Sequence, residues 1–247
     1  MKKEMLKSRN GYEIPCLHTL TGNERKAVLV IHGFGSSKGS PTAMMLTEAL
    51  PQQGIGTLAF DFPAHGDSPV DGLKLTIENC LDDLASAEAR IRELAPDAEI
   101  GYFGSSFGAY TVLNYLAERQ PAGRKAFLRS AAVEMPKLFR HKTEAEQRQL
   151  EEEGYVIVDR DYLRPLKLTQ AFFDDLDAHD VFRLYRAGLA DLAMVHGSED
   201  ETASPEAARR FAKEFGARLV MIPGGDHSLS HPGMPEEVLR LAAEFFK

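Results

Sequence analysis

The stretch EIGYFGSSFG, residues 99–108, contains a short apolar run followed directly by a serine between two glycines. An apolar run that leads into Gly-x-Ser-x-Gly predicts a buried strand, a sharp turn and the start of a helix. Such a turn exposes the hydroxyl of its central residue, here Ser106, and its crowding favours glycine at positions 104 and 108. The stretch therefore predicts a nucleophilic serine at the carboxyl end of a strand.

A second match to the same pattern, GSSKG at residues 35–39, shows that the pattern alone is weak evidence. A chance match is expected in roughly one of ten chains of this length. Ser37 follows its predicted strand only after a Gly/Ser-rich loop and so lacks the abrupt transition from strand to helix. Ser106 is therefore the predicted nucleophile, and its neighbour Ser105 is predicted to be a small packing residue.

Short β-branched runs alternate with helical patterns along most of the chain, which indicates an α/β fold with a mostly parallel sheet and helices on both faces. A hairpin is predicted first, because Asn10-Gly11 is a strong two-residue turn signal. The other strands are predicted at residues 27–31, 56–61, 99–103, 125–133, 191–196 and 217–223.

Residues 134–188 break this alternation and are too numerous for a structureless loop in a compact domain. We interpret them as an inserted cap, or lid, subdomain, and residues 1–133 and 189–247 as the core. The insert is rich in apolar and aromatic side chains, which we expect to wall a pocket above Ser106. These side chains are Tyr155, Val156, Ile157, Tyr162, Phe172, Phe173 and Phe182. The alternative is a pair of core-packing helices with long linkers.

Composition and charge exclude several classes of protein. The 247 residues carry a net charge of −8 and no basic block, which argues against a nucleic-acid or anionic-membrane surface. The longest aliphatic run, residues 27–31, is too short to span a bilayer. Cys16 and Cys80 are far apart and have no companions, so neither a disulfide scaffold nor a metal site is expected. We expect a cytoplasmic protein, and the oligomeric state stays open between monomer and homodimer.

The general base is predicted to be His227. Sites of open α/β sheets lie at the carboxyl ends of the parallel strands. His227 follows the last predicted strand through the flexible turn at residues 223–226. His231 lies directly before Pro232 and is predicted to be a residue of the rim.

The acid that orients this histidine is predicted to be Asp200, which lies in the loop beyond strand 191–196. Its neighbours Glu199 and Glu201 are alternatives. Asp191 lies at the wrong end of the strand, and Asp226 adjoins the histidine too closely in sequence to bond its ring easily.

Oxyanion donors are predicted at the glycine-rich turn HGFG, residues 32–35, which follows the first parallel strand. The expected pair is the backbone N–H of Phe34 and that of Phe107, the residue after the nucleophile. The alternative is an ordinary glycine turn into a helix. Asp61 and His65, at the end of the next strand, are predicted to be structural.

Five motifs occur in the order HGFG, DFPAHGDS, GSSFG, HGSED and GGDHS. In this order and spacing they resemble the α/β-hydrolase superfamily across essentially the whole chain. The short oxyanion turn, the insert and the length look most like the small bacterial esterases that cleave cinnamoyl and feruloyl esters. Those enzymes commonly have His and Gln where this chain has Ser105 and Phe107. The resemblance implies a Ser-His-Asp serine hydrolase that needs no cofactor and acts on a small ester.

Four other functions compete with ester hydrolysis. The same machinery serves thioesterases and serine aminopeptidases. A hydrolase fold retained as a non-catalytic ligand-binding module has no reason to keep all three triad residues. Dinucleotide binding is disfavoured because Lys38 stands where a third glycine would be needed after Gly33 and Gly35.

Overall fold

The structure, a computed structural model, describes residues 1–119, 121, 123–140, 142–160 and 162–247. The strands are β1 (Lys2–Lys7), β2 (Glu13–His18), β3 (Lys26–Ile31), β4 (Ile55–Phe60), β5 (Glu99–Ser105), β6 (Lys125–Arg129), β7 (Tyr155–Val158), β8 (Leu166–Thr169), β9 (Asp191–Gly197) and β10 (Arg218–Ile222). The α-helices are α1 (Pro41–Ala49), α2 (Ile77–Leu94), α3 (Phe107–Glu118), α4 (Met135–Leu138), α5 (Glu144–Glu153), α6 (Gln170–Ala178), α7 (Val181–Leu184), α8 (Pro205–Phe215) and α9 (Met234–Phe246).

Eight strands form one sheet in the order β1-β2-β4-β3-β5-β6-β9-β10. The predicted hairpin is confirmed, since β1 and β2 pair antiparallel, and β2 also pairs antiparallel with β4. The remaining pairs are parallel. The carboxyl ends of six strands therefore meet at one edge of the sheet, where the predicted site residues follow.

Strand β3 shows why helices cover both faces of this sheet. Leu29 and Ile31 are buried in a core that includes residues of α2 and α3, whereas Val28 and Val30 are buried in a second core with α1 and α9. Side chains alternate between the two faces of a strand, so an unbroken apolar run requires apolar cover on both sides. The predicted α/β fold is confirmed.

Two predicted elements are shorter than expected. The strand predicted at residues 125–133 ends at Arg129, because the backbone turns at Ser130, where φ is 47°. The amphipathic pattern of residues 73–94 predicts one long helix, but α2 begins only after Thr76, whose side chain caps it, and a separate 3-10 turn precedes it. Both differences reflect backbone turns that hydrophobic patterning does not register.

The insert, residues 134–188, contributes α4 to α7 and a separate two-stranded antiparallel sheet of β7 and β8. Many of its apolar side chains pack inward, whereas Ile157 and Leu163 are exposed. Val156, Leu168, Phe172 and Phe173 belong to the same buried core as the helices on that face of the large sheet. Within the described ranges, no helix is both long and apolar enough to cross a membrane.

Candidate active site

Ser106 lies at the junction of β5 and α3. It precedes the first residue of the helix with φ 53° and ψ −111°, a conformation that residues other than glycine rarely adopt. Its N–H donates to the carbonyl of Arg129 on the neighbouring strand at 2.9 Å. Its hydroxyl does not cap the helix. The side chain is therefore held away from the helix axis and is available for chemistry.

The two flanking glycines are needed because other backbone approaches them closely. A Cβ on Gly104 would lie 2.6 Å from the Cα of Ala109. A Cβ on Gly108 would lie 2.4 Å from the carbonyl oxygen of Ile31 and 2.5 Å from that of His32. Such distances are far below van der Waals contact, so glycine at position 104 lets β5 pass close to α3, and glycine at position 108 lets α3 pack against the end of β3.

His227 lies in the loop between β10 and α9 and is half-buried. Its Nε2 lies 2.9 Å from the hydroxyl oxygen of Ser106. Its Nδ1 lies 2.8 Å from Oδ2 and 3.0 Å from Oδ1 of Asp200. With the proton on Nδ1, the ring donates to the carboxylate and can accept the proton of the serine hydroxyl.

Asp200 follows β9, and its side chain is fully buried. Its Oδ1 accepts the backbone N–H groups of Thr202 and Ala203 at 2.9 and 2.8 Å, and Nε2 of His196 lies 3.1 Å from Oδ2. Burial opposes ionisation of this carboxyl, but the hydrogen bonds from His196, His227 and Ala203 outweigh it and hold its pKa well below the usual range. The carboxylate is therefore ionised and fixed in place.

The structure separates the alternative residues from His227. Glu199 and Glu201 are exposed, and Asp191 pairs with an arginine at the opposite edge of the sheet. Asp226 accepts the N–H and hydroxyl of Ser230 at 3.1 Å each. Asp200 is the carboxylate that the fold brings to the histidine, and His231 is exposed, as expected for a rim residue.

The predicted oxyanion turn lies beside the serine. A Cβ on Gly33 would lie 3.5 Å from the Cβ of Ser106. The rings of Phe34 and Phe107 meet edge to face with centroids 5.3 Å apart. Among the described residues, neither the N–H of Phe34 nor that of Phe107 has a backbone or side-chain acceptor. Two unpaired donors therefore lie next to the serine.

Two buried histidines support this turn. Nδ1 of His32 lies 2.8 Å from the carbonyl oxygen of Gly33, and its Nε2 accepts the N–H of Phe62 at 3.2 Å. Nδ1 of His65 lies 2.9 Å from the carbonyl oxygen of Pro63. Burial lowers the pKa of His32, and burial together with His32 lowers the pKa of His65 to about 3. Both rings hydrogen-bond the backbone around the turn, and His65 has the structural role predicted for it.

The second Gly-x-Ser-x-Gly segment has a different environment. The hydroxyl of Ser37 accepts the N–H of Gly39 at 3.1 Å. Lys38 is largely buried, and its Nζ lies 2.6 Å from Oδ2 of Asp61 and 2.7 Å from Oδ2 of Asp67. Sequence reasoning considered Lys38 only as a mismatch to nucleotide motifs and missed this ion pair, because no local pattern marks it.

A cavity of about 570 Å³ opens beside Ser106. Its described lining residues are Gly33, Phe34, Ser36, Ser40, Pro41, Thr42, Met45, Ser105, Ser106, Arg129, His227, Ser228, Leu229, Ser230, Pro235 and Val238. None of these belongs to residues 134–188, so the expectation that the insert walls the pocket is not met. The insert instead packs against the ring of Phe34, through the rings of Phe139, Tyr162 and Phe172.

Arg129 is the lining residue that sequence reasoning missed. Only 8% of it is exposed, and it donates hydrogen bonds to the hydroxyl of Ser105 and to the carbonyl of Ser228. Burial lowers the pKa of its guanidinium to about 10, although Asp226 and Asp200 act in the opposite direction. Ser105 is therefore a hydrogen-bonding partner rather than a packing residue. The one available signal was an arginine ending an otherwise apolar strand.

Cys16 and Cys80 are buried free thiols. Over the described residues, no group of three or more His, Cys, Asp or Glu side chains is placed to hold a metal ion. The polar groups at the cavity include a serine hydroxyl, an imidazole backed by the Asp200 carboxylate, two backbone N–H groups and one guanidinium.

Known proteins support a hydrolase. Residues 22–157 match the family model described as "Serine aminopeptidase, S33". No curated protein sequence matches the chain.

Solved structures share the fold at low sequence identity. A putative hydrolase from Agrobacterium vitis S4 superposes with a TM-score of 0.84 at 18% identity, covering 100% of this chain and 98% of that one. Est1E from Butyrivibrio proteoclasticus gives 0.78 at 20% identity, covering 99% and 97%. Mouse alpha/beta hydrolase domain-containing protein 10 gives 0.78 at 14% identity, covering 99% and 98%. Because the family model spans more than half of the 247 residues, the chain belongs to the serine aminopeptidase family of hydrolases, and its fold is that of the α/β hydrolases.

Proposed function

We propose that this protein is a serine hydrolase that cleaves carboxylic esters through an acyl-enzyme. The observation that carries the proposal is the run of hydrogen bonds from Asp200 through His227 to Ser106 at the wall of a cavity. The distances of 2.8 Å from His227 to Asp200 and 2.9 Å from His227 to Ser106 are hydrogen-bond distances. A nucleophile, its general base and the acid that orients the base require such contacts.

In the first step, the hydroxyl oxygen of Ser106 attacks the ester carbonyl while Nε2 of His227 takes the hydroxyl proton. Asp200 accepts the Nδ1–H bond, which fixes the tautomer and stabilises the imidazolium that forms. The carbonyl oxygen becomes an oxyanion, and the unpaired N–H groups of Phe34 and Phe107 are proposed to stabilise it. Preorganised donors of this kind contribute about 3–4 kcal/mol each to lowering the barrier.

In the second step, Nε2 of His227 gives its proton to the departing alcohol, and the acyl group remains on Ser106. A water molecule then loses a proton to the same nitrogen and attacks the acyl carbonyl. Ser106 leaves with the proton from the imidazolium, which restores the starting state. Every proton in this cycle passes through His227, so the reaction needs only the chain and water.

Two observations bear on the substrate. A cavity of about 570 Å³ is of the size that holds a small organic ester. The similarly folded Est1E has been solved with ferulic acid bound. We therefore propose hydroxycinnamoyl or other small aryl and acyl esters as the first compounds to test. Thioesters require the same steps and differ only in the leaving group.

The family description favours a second candidate, an aminopeptidase. An enzyme that binds a peptide by its free α-ammonium group needs an acceptor for that charge, which a carboxylate supplies best. Among the described residues that line the cavity, none is Asp or Glu, and Arg129 is a cation. This charge pattern disfavours an ammonium group and favours the ester proposal.

The test is covalent labelling with a fluorophosphonate, followed by kinetics on 4-nitrophenyl acetate, a thioacetate analogue and alanine 4-nitroanilide. We expect the label on Ser106, as located by peptide mass spectrometry, and turnover of the oxygen ester above that of the anilide. A folded protein that takes no label would instead be a ligand-binding module. Faster hydrolysis of the anilide would establish the aminopeptidase.

A further inference from the structure

Arg129 occupies a position next to the nucleophile on the adjacent strand. It ends β6, in register with Ser105 on β5, and its carbonyl accepts the N–H of Ser106 at 2.9 Å. Its side chain lines the same cavity as Ser106 and His227. The guanidinium therefore faces the space that a substrate of this serine must enter.

The described hydrogen bonds of Arg129 go to neutral acceptors only. A guanidinium has five N–H groups, and the described residues accept from it through two neutral oxygens, the Ser105 hydroxyl and the Ser228 carbonyl. No described carboxylate lies within 4.0 Å of it. Asp200 and Asp226 act on it only from farther away, and both are bonded elsewhere. A buried charge with no carboxylate in direct contact is costly, so a bound carboxylate would stabilise it.

The rest of the cavity wall is suited to an anion. Its described polar side chains are mostly hydroxyls, including those of Ser36, Ser40, Thr42 and Ser230, and none is acidic. Apolar side chains such as Met45 and Val238 complete the wall. A ligand that combines an apolar body with one negative group matches this lining.

We propose that Arg129 binds a carboxylate of the substrate, so that the preferred esters are those that carry a free carboxylate besides the ester bond. This inference rests on the proposed function. Arginine suits the role because its planar N–H groups match the two oxygens of a carboxylate. The carboxylate could be supplied by the acyl part, as in a monoester of a dicarboxylic acid, or by the alcohol part, as in an ester of a hydroxy acid.

The experiment compares substrates matched in shape and different in charge. For the acyl part, the pair is mono(4-nitrophenyl) glutarate and its methyl ester. For the alcohol part, it is 4-carboxyphenyl butyrate and its methyl ester. We expect the charged-to-neutral ratio of kcat/KM in one pair to fall roughly 10- to 100-fold in Arg129→Met, as expected for a lost charge-assisted hydrogen bond. Arg129→Lys should recover part of the ratio.

The control is Arg218→Met, which removes a positive charge from the amino end of β10, at the opposite edge of the sheet. It should leave both ratios unchanged. If Arg129 only positions Ser105 and the loop of His227, then Arg129→Met will lower charged and neutral substrates equally. That result would overturn the inference.

A measurement on the unaltered protein covers the case in which the Arg129 variants fail to fold. Glutarate should slow fluorophosphonate labelling of Ser106, and dimethyl glutarate at equal concentration should not. Equal behaviour of the two compounds, with labelling intact, would refute carboxylate binding and leave the proposed function standing. Absence of labelling altogether would refute the proposed function itself.

Discussion

The segments Gly104–Gly108 and Gly35–Gly39 share the pattern Gly-Ser-Ser-x-Gly and differ in almost every physical respect. In the first, the central serine has positive φ between a strand and a helix, and its hydroxyl lies 2.9 Å from an imidazole. In the second, the serine hydroxyl accepts the N–H of Gly39 within its own turn. The sharp turn between strand and helix leaves the serine hydroxyl free of its own backbone. The five-residue pattern alone does not specify such a turn.

The second segment has its own structural role, which is to join the core to the insert. The carbonyl of Gly35 accepts the N–H of Leu163 at 3.1 Å. A Cβ on Gly35 would lie 2.1 Å from the ring of Tyr162, and the φ of +72° at this position also favours glycine. Lys38 anchors the segment to Asp61. One segment thus presents the proposed nucleophile, and the other contacts the insert.

The largest expected effect tests this comparison directly. Ser106→Ala should lower kcat on a 4-nitrophenyl ester by about a million-fold, since loss of a triad nucleophile has that effect in serine hydrolases. Ser37→Ala should retain most activity. Steady-state rates on both purified variants, with circular dichroism to check folding, decide the matter. An active Ser106→Ala with an inactive Ser37→Ala would reverse the assignment of the site.

The next effect concerns the acid. Asp200→Asn should lower kcat by about 10⁴-fold, because an amide favours the wrong imidazole tautomer. The matched control is Asp226→Asn, which alters a carboxylate adjoining the same histidine but bonded to Ser230. Its loss should stay below about ten-fold, the range of an exposed polar contact. Similar losses in both variants would mean that Asp200 has no special role.

Replacing Lys38 should damage the fold instead of the chemistry. Lys38→Met leaves the buried carboxylate of Asp61 without its cation, and breaking a buried ion pair costs about 3–5 kcal/mol of stability. Urea unfolding measures this loss. The residual native protein should keep a fluorophosphonate-reactive Ser106. A Lys38→Met protein as stable as the wild type would show that the segment is not an anchor.

Gly108 and Gly39 are the last residues of the two segments and allow a matched comparison. Gly108→Ala brings a Cβ within 2.4 Å of backbone oxygen, and such overpacking costs about 1–3 kcal/mol. Gly39→Ala places its Cβ 3.5 Å from the Ser37 hydroxyl, an ordinary contact, so its effect should stay within about 0.5 kcal/mol. The midpoints of thermal unfolding report both values. Equal shifts would contradict the close packing of the first segment.

The smallest expected effect is the pH dependence of the Lys38 cluster. Burial lowers the pKa of Lys38, but hydrogen bonds to Asp61 and Asp67 outweigh it and raise that pKa. The hydrogen bond from Lys38 lowers the pKa of Asp67. A raised lysine pKa contributes stability that is lost only above about pH 10.4, and a lowered aspartate pKa contributes stability that is lost only below about pH 3.9. The coupling free energy between Lys38 and Asp67, measured at each pH by a double-mutant cycle of Lys38→Met and Asp67→Asn, should therefore be constant from pH 5 to 9. A slope across that window would contradict these shifts.

Three residues predicted from the sequence, Ser106, His227 and Asp200, are linked by hydrogen bonds through His227 in the structure, because each follows a recognisable strand at the carboxyl edge of the sheet. Arg129 and Lys38 could not be found in this way. The partner of Arg129, Ser228, is 99 residues away in sequence, and that of Lys38 is 23 residues away. Their significance depends on contacts that only the folded chain creates.

The surface against which the insert packs also could not be predicted from the sequence. Among the apolar side chains predicted to be covered, Val156, Phe172 and Phe173 are buried, whereas Ile157 is exposed. Phe172, which is fully buried, packs against Phe34 and Phe139 in the core and does not line the cavity. Apolar patterning shows that a side chain is covered, but it does not show which surface covers it.

The backbone of Ser106 has a consequence for the evolution of such a protein. Its φ of 53° costs a residue with a side chain of order 1–3 kcal/mol, and glycine avoids most of that cost. Ser106→Gly should therefore be more stable than Ser106→Ala while equally inactive. Selection for stability alone would therefore favour glycine at position 106. A descendant of this chain with glycine at this position would be one that is no longer selected for turnover.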